Sequence, residues 1–177
     1  DGKMKREPFK NTFLSDSSLE RNYAMLGFIE IEDELVDLHI LKDDPPCVKG
    51  TIKAKKTDGE DSNRVIFALR FKQKHTLVKI PKEVKSEKIL QVDKVSIDST
   101  FEGNGLASFV YASLIKRGFQ VLSDTSQFTD GKMLWKKMAS KAKLRDYKIF
   151  VLDDEYGFIQ ENGEPLQYDG SNIDDSK

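Results

Sequence analysis

Between residues 88 and 122 the chain changes its hydrophobic period twice. An alternating apolar run, Ile89-Leu90-Gln91-Val92-Asp93-Lys94-Val95-Ser96-Ile97, leads into the turn Ser99-Thr100-Phe101-Glu102-Gly103-Asn104-Gly105. A helical apolar pattern follows at Leu106, Phe109, Val110, Ala112, Ser113, Leu114 and Ile115, and Phe119-Gln120-Val121-Leu122 closes the segment as a short buried strand. Arg117-Gly118 supplies a basic last turn and a C′ glycine, so the helix has a stop as well as a start. Two strands joined through one helix cannot form a hairpin. They make a βαβ unit with parallel strands and a right-handed crossover, which commits the chain to an α/β (α+β mixed sheet) architecture, a central mixed β-sheet flanked by helices.

The turn itself has chemistry. Gly103 and Gly105 permit positive φ and close backbone approach, so the N–H groups around Glu102, Gly103, Asn104, Gly105, Leu106 and Ala107 can converge on an anion beside the positive end of a helix dipole. Such a site suits phosphate or pyrophosphate. The plain alternative is a tight turn that caps a helix, because short glycine motifs match by accident.

The remaining sequence bounds the choices. At 177 residues the chain fits one domain with a sizeable core. Its 29 basic and 30 acidic residues nearly cancel, so no global field recruits nucleic acid or an anionic membrane. One cysteine, Cys47, excludes an intramolecular disulfide, and with His39 and His75 it makes no zinc pattern; no metal site is expected. No apolar segment approaches the roughly 20 residues needed to cross a bilayer. The expectation is a soluble protein of a reducing compartment, the cytoplasm.

Residues 1–25 read as an N-terminal arm, basic and then apolar, in which Ser15-Asp16-Ser17-Ser18 caps a short helix running through Met25. Residues 26–162 form the single domain. In it, residues 25–32 and 35–41 are strands joined at Glu32-Asp33-Glu34 by a turn or bulge, and Asp43-Asp44-Pro45-Pro46 stops the second. Residues 48–56 and 64–72 make a hairpin across a polar loop, with Lys53, Lys55 and Lys56 on a solvated strand face. A second helix covers about residues 130–144, with Met133, Leu134, Met138, Ala139 and Ala142 on its apolar side, and residues 147–152 and 155–160 form a closing hairpin around Asp153-Asp154. Residues 163–177 are an acidic tail with turn-rich, loose character.

Antiparallel strands, then strand, glycine turn, helix and strand, then a helix and a hairpin, is an order that resembles the GNAT N-acetyltransferase superfamily. The family pattern is arginine or glutamine, two free positions, glycine, one free position, then glycine or alanine. It falls here on Glu102, Gly105 and Ala107, with Gly103 between. Leu134-Trp135-Lys136-Lys137-Met138 is similar to the family's later helix, and Leu122-Ser123-Asp124-Thr125 is similar to GNAT-like proteins of bacteriophages and bacteria; a phage origin would put the protein in the host cytoplasm. The resemblance implies a GNAT-like fold and an acetyl-CoA cofactor. It puts the pyrophosphate on the glycine turn and the pantetheine amides on the backbone of Val95 and Ile97. Two positions depart from the pattern. Glu102 sets a carboxylate near a pyrophosphate, and Trp135 stands where many relatives carry tyrosine, whose phenol an indole cannot replace as an acid. The connection between Leu41 and Val48 is also too short for the helices that usually wall the acceptor groove, which is therefore open or covered by residues 1–25.

Two functions follow. The first is acetyl-CoA-dependent N-acyl transfer to an amine, with a protein or peptide amine favoured by an open groove. Asp93 is then the candidate base, and Ser123, Ser126 or Tyr111 the candidate acid. Each has a plainer role: Asp93 in a surface ion pair, the serines in turn capping, Tyr111 in helix packing. The second is a catalytically inactive GNAT-like protein that holds a protein partner. Nucleic-acid binding ranks below both, since basic and aromatic residues are not interleaved in a known motif.

Overall fold

The computed structural model describes residues 9, 11–77, 85–123, 129–145, 147–153, 157–158 and 160–172. Alternation in the first half of the chain builds an antiparallel run: β1 (Phe13–Leu14), then β2 (Tyr23–Ile31), β3 (Glu34–Leu41), β4 (Cys47–Lys55) and β5 (Asp61–Phe71). The acidic pair Glu32-Asp33 adopts positive φ at both residues, 50° and 66°, which makes the tight turn between β2 and β3. The βαβ unit follows as β6 (Ile89–Ile97), α2 (Leu106–Lys116) and β7 (Gln120–Leu122), with α1 (Asp16–Asn22) earlier in the chain. Strand order is β2-β3-β4-β5-β6-β7. Among the described residues only the β6–β7 pairing is parallel, so the sheet is mixed.

The sheet is curled around α2. The ring of Phe109 on α2 packs on Gly27 of β2, and Arg117 at the helix end donates to the carbonyl of Met25. Both contacts join α2 to the strand at the opposite edge from β7. Val36, Leu38, Phe67, Leu69, Phe101, Leu106, Val110 and Leu114 fill the trough between sheet and helix. Gly50 lies on its floor, where a Cβ would stand 2.9 Å from the Cβ of Phe67.

The other face is crossed by α1. Strand β4 occupies one edge of β5 from Asp61 to Arg70, so β1, paired to Asn63 and Arg64, takes the other edge, in line with β6. The chain must then reach β2, four strand positions away, a distance of about 19 Å at 4.8 Å per strand. A seven-residue helix of about 10 Å and its flanks span that gap. Ser15 caps α1 by accepting from the N–H of Ser18 (3.1 Å), and Asp16 accepts from Asn63 Nδ2 (2.8 Å) and Lys53 Nζ (3.3 Å). This pinning explains where the sequence reading of a polar loop over residues 57–63 goes astray. Ser62 and Asn63 belong to β5 and are buried, because their side chains donate to the carbonyl of Leu14 (3.3 and 2.9 Å). Helix α1 also ends at Asn22 rather than Met25, since Tyr23 already pairs with Leu41.

Helix α3 (Thr129–Arg145) buries Met138, Ala139 and Ala142, while Met133 is exposed, contrary to its expected place on the apolar side. The closing segment is also more broken than one hairpin. β8 (Leu152–Asp153) pairs with β9 (Gly157–Phe158), β10 (Gln160–Glu161) with β11 (Glu164–Pro165), and the N–H of Tyr168 returns to the carbonyl of Ile149 (2.7 Å). Among the described residues no helix is long and apolar enough to cross a membrane.

Candidate ligand site at the β6–α2 turn

Pairing between β6 and β7 covers only Ile89–Gln91 against Gln120–Leu122. Beyond it, residues 92–97 of β6 pair with no strand on that side among the described residues, and their backbone groups line an open fork. Gln91, almost wholly buried, holds the fork's base: its Nε2 donates to Thr76 Oγ1 (3.0 Å) and to the carbonyl of Ser123 (3.2 Å), and its Oε1 accepts from the N–H of Thr76 (2.7 Å). A polar side chain inside an apolar strand was the available signal for this role.

At the far end of β6, Asp98 sets the geometry of the turn. Its N–H bonds to the carbonyl of Ile66 (2.8 Å), its Oδ1 caps a single 3₁₀ turn by accepting from Thr100 N–H (3.0 Å), and its Oδ2 accepts from Arg64 Nη1 (2.8 Å). Burial works to raise the Asp98 carboxyl, but the Thr100 N–H and the Arg64 guanidinium outweigh it and hold it below the usual carboxylate value. Phe101, buried, anchors the turn from below. Gly103 and Gly105 take φ of 78° and 75°, and Asn104 Nδ2 clamps the backbone by donating to the carbonyls of Phe101 (3.3 Å) and Glu102 (3.0 Å). Gly105 is the N-cap of α2 and brings no side-chain acceptor to the first-turn N–H groups, which can serve an external anion. Leu106 is buried and Ala107 half-buried behind them, while Glu102 sits half-exposed on the turn and Val95 and Ile97 pack partly against the core.

The candidate chemical groups are not gathered in one place. Asp93 is the extra residue at an irregularity in β6, between Val92 opposite Phe71 and Lys94 opposite Arg70, and its Oδ2 accepts from Arg70 Nε at 2.7 Å. Tyr111 is buried and stacked on Trp135 of α3, ring centroids 5.2 Å apart and planes at 11°. Desolvation pushes its phenol well above the usual tyrosine range, so it stays protonated in the α2–α3 packing. Ser123 is the first residue past the fork. Ser126 lies outside the described residues.

An open depression of about 420 Å³ lies between Pro45, Cys47, Phe71 and the Arg70–Asp93 pair, and a second of about 740 Å³ lies by Phe13, Lys55 and Arg64. Neither is lined by the glycine turn. The thiol of Cys47, pushed up by burial, is no nucleophile there. Comparison of the chain with protein-family models, with curated proteins and with solved structures finds no match.

Proposed function

We propose that the chain is a GNAT-like N-acyltransferase that binds acetyl-CoA and passes its acyl group to an amine. The observation that carries this reading is the unpaired stretch 92–97 of β6 running directly into a glycine turn at the N-terminus of α2. An open strand edge suits the amides of an extended pantetheine arm, and the turn suits the pyrophosphate. A cofactor so held, laid back along β6, brings its thioester about 13 Å from Ile97, beside Asp93. There the amine nitrogen attacks the thioester carbonyl, the C–N bond forms, the C–S bond breaks, and one proton leaves the amine while one joins the departing thiolate. In this reading Asp93 holds the amine and takes its proton, and Ser123, the first residue past the fork, supplies the hydroxyl that serves the thiolate.

Two observations favour a second reading, a GNAT-like protein that keeps the cofactor site without the chemistry and holds a protein partner: Asp93 is engaged by Arg70, and Tyr111 is packed away. Calorimetric titration with acetyl-CoA, followed by an assay of thiol release with a panel of amines, separates them. Binding with turnover supports transfer; binding without turnover on any amine supports the second reading; no binding of acetyl-CoA removes both.

A further inference from the structure

The depression beside Asp93 has a charge arrangement of its own. Arg70 uses only its Nε, toward Asp93 Oδ2, and its two terminal nitrogens donate to no partner among the described residues. Asp93 Oδ1 likewise accepts from none of them. A forked donor and an acceptor oxygen therefore lie side by side, with Pro45 and Pro46 as an apolar wall and Cys47, Lys72 and Gln73 also on the rim of the depression. The irregularity in β6 brings this about, since it turns Asp93 toward Arg70 instead of letting the two strands alternate regularly.

We propose that this depression binds a small α-amino acid as its zwitterion. The carboxylate sits on Nη1 and Nη2 of Arg70 in the bidentate geometry a guanidinium favours, the ammonium on Oδ1 of Asp93, and the side chain on the Pro45–Pro46 wall. The existing Nε–Oδ2 bond survives ligand entry and holds the two groups in register. A volume of about 420 Å³ is in the range of small-molecule sites. That this amino acid is the acyl acceptor rests on the transferase reading above; the binding site does not.

The test uses the full chain and three probes: L-leucine, its methyl ester, which lacks the carboxylate, and N-acetyl-L-leucine, which lacks the ammonium. In a nitrogen-15 amide titration, L-leucine shifts signals of residues 47, 70–73 and 93, and each blocked probe binds roughly tenfold more weakly, the effect of one lost charged contact. Arg70→Gln abolishes the preference over the ester and keeps that over the N-acetyl compound; Asp93→Asn does the reverse. Both side chains are substantially exposed, so the variants keep the wild-type spectrum elsewhere. Equal binding of all three probes, shifts at other residues, or no shift with L-leucine overturns the proposal. Leucine binding without acetyl-CoA binding leaves this site standing and removes the transferase, whereas acetyl-CoA binding without leucine binding removes this site alone.

Discussion

Gly105 and Glu102 lie three residues apart in one turn and act on an anionic ligand in opposite senses. Gly105 holds φ at 75° with nothing within 4 Å of where a Cβ would stand, so Gly105→Val meets no clash and its cost is conformational, on the order of 1–3 kcal/mol. The turn relaxes away from the left-handed region, the first N–H groups of α2 lose their convergence, and acetyl-CoA affinity falls while the fold persists. Calorimetry on a variant with a wild-type circular dichroism spectrum checks this, and an unchanged affinity removes the turn as the cofactor site. On the transferase reading, a negative charge at Glu102 opposes the same ligand. Glu102→Gln therefore tightens acetyl-CoA binding, by roughly two- to fivefold at low ionic strength and less at high salt where the charges are screened. Tighter binding by the wild type at either salt concentration refutes the repulsion.

At the scale of elements, the Arg64–Asp98 pair joins β5 to the start of the turn, and both side chains are largely sheltered, at 24% and 14% exposure. Removing the guanidinium with Arg64→Met leaves a sheltered carboxylate short of a charged donor, which costs about 1–3 kcal/mol at neutral pH. Asp98 is held below its ordinary value in the folded chain, so the stability it gives is present above the unfolded carboxylate pKa and is lost as pH falls through the folded one. Urea unfolding of wild type and variant, compared at neutral pH and again in acid, should show the gap closing; a gap independent of pH argues that Arg64 acts through packing alone. That pair separates what the sequence discloses from what it hides. The β6–α2–β7 unit was legible because its signals are local: a period of two, two glycines, a period near 3.6, a basic last turn and a glycine stop. The partnership of residues 64 and 98 has no local mark, nor does that of Arg70 with Asp93. Ser62 and Asn63 look like loop residues until β1 and Asp16 arrive to satisfy them. Tyr111 carried an acid's phenol in sequence, and only the stacking on Trp135 shows why it is a packing group.

For the whole molecule, the curl of the sheet sets two faces apart, a trough that holds α2 and an outer face crossed by α1. Gly50 permits the first. The atom it would meet, Phe67 Cβ, is fixed to the backbone and cannot swing aside, so Gly50→Ala forces the strands apart and destabilises the protein by about 1–3 kcal/mol, read as a lower urea midpoint; an unchanged midpoint means that the trough has slack. His39 belongs to the outer face. It is 9% exposed, its Nε2 is 3.0 Å from Thr51 Oγ1, and the ring of Tyr23 stands edge-on at 6.2 Å. Burial lowers its pKa below the ordinary 6.5, with Asp37 opposing and Lys53 assisting. The unfolded chain therefore takes up a proton near the ordinary value while the folded chain still resists it, and between the two pKa values the unfolded state binds more protons. Stability rises with pH through that window and falls on acidification below about 6.5, well above the range in which Asp98 titrates. His39→Gln keeps a hydrogen-bonding group for Thr51 but cannot take the proton. Unfolding free energies measured from about pH 7.5 to pH 5 should thus slope downward more steeply in the wild type than in the variant. Equal slopes would mean that the folded chain takes up the proton at His39 as readily as the unfolded chain does, and that burial between Thr51 and Tyr23 does not hold the ring neutral.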